Sequence, residues 1–211
     1  MKKFVFLVVL LLPNILFAAE APHVSLQREW DKSMYVLTGS EKKKAMIALS
    51  KQAESLMKQH KNDASVYAWA GIILSTEAGL YKINVIKALA KAKEAKAVFE
   101  KAKDLQANVL EGAIYTSLGS LYAEVPPFPI GFGDKKIAKK YLLQGLALNP
   151  KGIESHFFYG KYLFANKQYK QSLQEFEQAL QAPPRPERLI ADEGRKKEVQ
   201  EWIIKTKKKL S

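Results

Sequence analysis

The chain of 211 residues is 47% hydrophobic and 26% charged, a composition that folds around a core. It has no cysteine, which excludes disulfides, thiolate metal sites and a cysteine nucleophile, and with histidine only at 23, 60 and 156 a zinc site is hard to assemble. The formal net charge of +13 would suit nucleic acid, yet only four of the 34 basic residues are arginine (Arg28, Arg185, Arg188, Arg195); lysine is a hydrated point charge rather than a bidentate reader, so nucleic acid is not an expected partner.

Residues 1–21 read as a secretory signal peptide, with Lys2 and Lys3 ahead of the apolar run Phe4–Phe17 and small residues at Ala18, Ala19 and Ala21. The run contains Pro13 and is shorter than the ~20 residues a membrane span needs. Cleavage fits after Ala18 or after Ala21. A cleaved leader predicts a periplasmic protein, residues 22–211, folding as one domain. The absence of cysteine also removes a lipid tether of the bacterial lipoprotein kind.

Beyond the leader the chain is rich in strong helix formers, and apolar residues recur at helical spacing. Ala45, Leu49, Ala53 and Leu56 mark one helix starting near Ser40. His60–Asp63 punctuates, and a second helix runs through Val66, Trp69, Ile73 and Leu74. No convincing strand is present.

Repeat spacing then organises the rest. Residues 153–184 match the tetratricopeptide pattern, whose period is about 34 residues: Tyr159-Gly160, Leu163, Tyr169, Ser172, Phe176, Ala179-Leu180, Pro184. Gly160 is expected to let the second helix approach closely, with Phe176 against it and Ser172 where alanine is usual. A second copy has Leu118-Gly119, Tyr122, Ala138, Leu142 and Pro150, lengthened between its helices by a Pro- and Gly-rich insertion within Ala123–Lys136. A looser copy has Ala70-Gly71, Leu74, Ala95, Phe99 and Ala102, with its own insertion near Glu77–Leu89. The Ser40 helix reads as half of a degenerate leading repeat, and a helix of about Leu189–Lys208 as the polar cap such arrays need. The predicted fold is all-α: a right-handed tetratricopeptide-like solenoid of antiparallel helix pairs with a capping C-terminal helix. Its concave face is expected to be open to a partner.

Candidate site residues lie in three places. The segment Val125–Asp134 joins prolines and glycines to Phe128, Ile130 and Phe132; Tyr122, Pro127, Phe128 and Phe132 would line or lid a groove, or the rings would plug the loop onto its own solenoid. Asp134 suits a helix cap. Arg185, Arg188 and Arg195 would clamp an anion or fasten the last helix by pairing with Glu187, Asp192 and Glu193. Glu77 falls on a buried stretch, where a carboxylate needs a partner or faces the groove. Gly131–Lys135 is not a phosphate loop, since no strand precedes it and its spacing fits neither nucleotide fingerprint. The chain shows no G-x-S-x-G and no H-E-x-x-H, so no enzyme, metal or cofactor is predicted.

Several of these segments resemble the T-component (TatT-like) proteins linked to TRAP-type transporters. The resemblance rests on Leu118–Tyr122 with Pro127–Lys136, on Ala182–Pro186 with Ala191–Arg195, and on Ser75–Gly79. It implies an all-helical periplasmic protein that forms a homo-oligomer, threaded by apolar pores, and passes a small organic acid to a transporter's binding protein. The function expected is therefore a non-enzymatic binding protein, an accessory to TRAP-type uptake of an organic-acid or hydrophobic ligand. The alternative is a tetratricopeptide scaffold for protein–protein interaction in envelope assembly; a cell-wall-acting enzyme is the remaining rival. Partners would be another envelope protein or a small ligand.

Overall fold

A computed structural model describes residues 20–81 and 83–211. The signal-peptide reading falls mostly on residues 1–19, outside the described residues. Nine α-helices form the described chain: α1 (Pro22–Tyr35), α2 (Gly39–Gln59), α3 (Ala64–Gly79), α4 (Val85–Leu105), α5 (Ala113–Glu124), α6 (Lys135–Leu148), α7 (Ile153–Ala165), α8 (Tyr169–Leu180) and α9 (Leu189–Lys207). Among the described residues there is no strand, only a single bridge between Pro127 and Gly133.

Local chemistry sets the helix starts. Asp63 Oδ1 accepts the amides of Ser65 and Val66 at 2.9 and 3.2 Å, and Asn84 Oδ1 accepts that of Lys87 at 3.0 Å. Asp134 Oδ1 accepts those of Lys136 and Ile137 at 2.7 and 3.0 Å, the cap expected for α6. Pro22 opens α1, where its missing N–H is no loss.

Helices pack in adjacent antiparallel pairs, α3 on α4, α5 on α6 and α7 on α8, each pair closed where a glycine meets a large side chain. A methyl group on Gly71 would lie 2.6 Å from the Phe99 ring, one on Gly119 2.6 Å from Leu142, and one on Gly160 2.7 Å from the Phe176 ring. A bare Cα permits these approaches without any shift of the facing helix or ring. Ser172 fits the same seam: its buried hydroxyl donates to the Gly160 carbonyl at 2.8 Å, so a polar group takes alanine's place without an unmet hydrogen bond.

The core runs as a strip along the array. Leu26, Met46 and Trp69 fill its first part, Phe99, Ile114 and Leu118 the next, Leu142 and Leu163 the third, and Phe157, Phe176 and Val199 the last.

The Ser40 helix, α2, is half of a leading pair as expected, its partner being α1, which the repeat spacing does not mark. One expectation changes. Most of the Glu77–Leu89 insertion is helical, because α3 continues to Gly79 and the Asn84 cap starts α4 at Val85. At the far end α9 caps the array as expected, with Glu193, Lys197, Glu201 and Lys205 exposed; it also buries Ala191, Asp192, Arg195, Val199 and Thr206 and packs against α7, α8 and α1. The array curls until its two ends touch, so the groove expected to be open is bounded by a clasp.

Candidate functional site

The clasp is built from the three arginines singled out in the sequence. Arg188 donates to Asp31 of α1 from Nη2 at 2.5 Å and from Nε at 3.2 Å, across a separation of 157 residues. Its guanidinium lies 5.0 Å over the Trp69 ring and 5.9 Å from that of Trp30. Arg185 forks onto both oxygens of Glu154 at 3.0 Å and donates from Nε to Asp192 at 2.8 Å. Arg195 is buried between the rings of Phe157 and Phe158, at 4.4 and 5.1 Å, with Nη1 on Glu198. Beside it Gly194 meets Tyr35 of α1 so closely that a methyl group would lie 2.1 Å from the ring.

Each guanidinium therefore already faces a carboxylate. Of the partners expected, Asp192 is one; Glu187 and Glu193 are not, and their places are taken by Glu154, Asp31 and Glu198. The cause is simple: Glu154 starts α7 and Asp31 ends α1, far away in sequence but adjacent once the array curls. Burial pushes the Asp31 carboxyl above the usual range, although Arg188 pulls it down. For Glu154 burial also pushes upward, but Arg185, Arg195 and Arg188 outweigh it and the carboxyl is lowered.

Glu77 is buried and paired. Its Oε1 accepts from Tyr81 at 2.5 Å and its Oε2 lies 3.6 Å from the Lys91 ammonium, which also reaches Glu94 at 3.0 Å. Burial alone would lower Lys91, yet the hydrogen bond to Glu94 and the charges of Glu77, Glu94 and Glu54 leave it raised. Lys91 and Tyr81 were not legible as partners, though Lys91 stands near Glu77 once α3 and α4 are drawn as a pair.

The Val125–Asp134 loop is wired to its own repeat. The Gly133 amide donates to the Pro126 carbonyl, and that of Asp134 to the Tyr122 carbonyl, both at 3.0 Å; the amides of Ile130 and Gly131 reach Pro127 O at 3.1 Å. Phe132 turns inward, edge-on to Tyr122 with ring centres 5.3 Å apart, and rests on the core. Phe128 does the opposite and is 88% exposed. The structure thus brings Tyr122, Pro127 and Phe132 together, leaves Phe128 in solvent, and keeps Glu77 and the arginines in separate settings. Two surface hollows, about 560 and 370 Å3, lie at the α2–α3 turn and beside His156; neither is lined by this loop or by an arginine side chain.

No family model and no curated protein sequence matches the chain. Among solved structures it is similar to TTC0263, a thermophilic TPR protein of Thermus thermophilus, with a TM-score of 0.57 and 12% identity over 79% of this chain and 78% of that one. The fold is tetratricopeptide-like. That repeat fold, with the three glycine contacts at its seams, accounts for where the site residues sit. It presents odd-numbered helices side by side, and Lys161 of α7 reaches Glu124 of α5 across them at 2.6 Å.

Proposed function

We propose that the protein is an exported, non-enzymatic scaffold that binds another envelope protein, the surface used being the one its odd-numbered helices share. The observation that carries this reading is the repeat fold itself, with half-buried aromatic and charged side chains along that surface. Phe158 and Tyr159 of α7 are only partly covered, and the Lys161–Glu124 pair bridges neighbouring repeats. Such a surface offers a partner aromatic area and addressable charge at low ordering cost. Periplasmic residence belongs to this proposal and rests on the Lys2–Ala21 segment of the sequence.

The narrower reading, an accessory to TRAP-type uptake, rests on the motif resemblance at Pro127–Lys136 and Ala182–Arg195. The same experiment separates the two. A photocrosslinking side chain at Glu124, which is solvent-accessible, should give one discrete adduct in cells, and one at Lys139 on the even-numbered side should give none. An adduct with a transporter's binding protein supports the accessory role. Adducts of equal yield at both positions, or none at either, overturn the scaffold reading for this face.

A further inference from the structure

In a stack of antiparallel pairs, all turns from an odd to the next even helix fall on one edge. Here that edge carries the most exposed apolar side chains of the described chain. Ile83 is 98% exposed, Phe128 88%, Ile86 85% and Ile130 60%. They come from two turns that lie side by side, since a methyl group on Gly131 would sit 3.2 Å from Leu89 of α4. The Phe128 tip is held out by the backbone bonds around Pro126 and Pro127, on a loop anchored by Phe132 against Tyr122. A large exposed apolar group on a fixed loop has no reason to persist for the fold's sake.

The charge around this edge is mostly positive. Lys43 and Lys87 stand over the Tyr81 ring at 5.2 and 4.5 Å, and exposed Lys135 and Lys136 open α6 beside the loop. No acidic residue occurs from Ala78 to Lys93 or from Lys135 to Ile153. The acids that face the edge are few: Glu41 starts α2, Asp134 caps α6, and Glu124 is paired with Lys161. Apolar tips within a lysine field match a bilayer surface, where the tips enter the acyl boundary and the ammonium groups meet anionic headgroups. A second copy of this edge would bring lysine against lysine.

We propose that this edge docks the protein on a membrane surface containing anionic lipid, leaving the odd-helix face free for its partner. The inference does not depend on the scaffold reading. Because the chain has no cysteine, Phe128→Cys gives a single attachment point for an environment-sensitive dye. Vesicles of equimolar phosphatidylglycerol and phosphatidylcholine should shift the dye's emission to the blue and brighten it. Pure phosphatidylcholine vesicles should not, and about 1 M salt should reverse the effect, since screening then reaches only ~3 Å. A dye at Asn62→Cys, in the exposed α2–α3 turn on the opposite edge, should stay unchanged. Its silence also separates this edge from any contribution by the apolar N-terminal segment. Unlabelled protein with Phe128→Ser and Ile86→Ser should keep its helix content and partition at least ten-fold less, roughly what burying one such side chain is worth. No response at position 128, equal responses at both positions, unchanged partitioning of the double variant, or brightening with protein concentration in the absence of vesicles would each overturn the proposal, the last in favour of self-association.

Discussion

Glycine at the seams of the repeats can be tested as a graded series. Ala in place of helical Gly is favourable by about 1 kcal/mol where space is open. At Gly79 nothing lies within 4 Å of the added methyl, so Gly79→Ala should stabilise by a few tenths to about 1 kcal/mol. At Gly160 the methyl would meet the Phe176 ring at 2.7 and 2.8 Å; the ring can tilt, and overpacking of about 1–2 kcal/mol roughly cancels the helix gain. At Gly119 it would meet Leu142 Cγ at 2.6 Å and also two backbone atoms, Leu142 N at 2.9 Å and Ala138 O at 3.1 Å. Backbone cannot step aside without parting α5 from α6, so Gly119→Ala should cost about 2–3 kcal/mol net, a fall of several degrees in Tm. Urea unfolding followed by far-UV circular dichroism reads the order directly. The internal control is Phe176→Leu, which opens the seam: on that background Gly160→Ala should turn stabilising. If Gly119→Ala is as stable as Gly79→Ala, the close approach of paired helices is not what glycine supplies, and the packing argument fails.

Truncating Arg188→Ala leaves Asp31 buried without its partner and should lower stability by about 3–5 kcal/mol, whereas Arg188→Leu with Asp31→Leu should recover much of it; thermal melts of the two variants and the parent decide. His156 Nδ1 lies 2.7 Å from Glu175 and Nε2 2.9 Å from the Pro150 carbonyl; burial opposes the charged ring, but these contacts outweigh it and hold its pKa above the usual histidine value. A raised histidine contributes stability that is complete below its unfolded value near 6.5 and is lost as pH rises through the folded value, so His156→Gln should flatten the fall in denaturation midpoint above pH 6.5. Phe132→Ala should destabilise by about 1–2 kcal/mol, because its ring lies on Tyr122 and the core, while Phe128→Ala should leave the melt within about 0.5 kcal/mol of the parent.

What was legible in the sequence is what local spacing controls. Gly160 and Phe176, or Gly119 and Leu142, face each other because the repeat places them a fixed distance apart, and Asp134 is a cap because helix-forming residues begin directly after it. The α1 helix carries no such signature because no glycine marks its seam with α2; Leu26 shares a core cluster with Met46 and Leu49 there instead. The clasp lacks one for another reason. Arg188 and Asp31 are 157 residues apart, and their meeting depends on the accumulated curl of every pair between them, which no local pattern encodes. The loop shows a third limit: the sequence offered Phe128 and Phe132 as equivalent rings, and only the bridge from Pro127 to Gly133 decides which one faces inward.

The division of the basic residues follows from the same geometry. Closing the array requires cations that remain paired away from water, and the guanidinium does this because its planar fork meets a carboxylate with two bonds and lies flat on a ring. At the α1–α7–α9 junction Arg185 supplies the fork, Arg195 the ring contact and Arg188 both. Lysine is a poorer substitute: its ammonium lacks the planar fork that meets both oxygens of Glu154 or Asp31 in line, and it is more costly to desolvate. Arg188→Lys should therefore weaken the clasp although the charge is kept. Most lysines, Lys91 beside Glu77 and Lys161 beside Glu124 apart, lie on exposed faces and turns, and so the net charge of +13 is carried largely where it meets solvent or a surface of opposite sign.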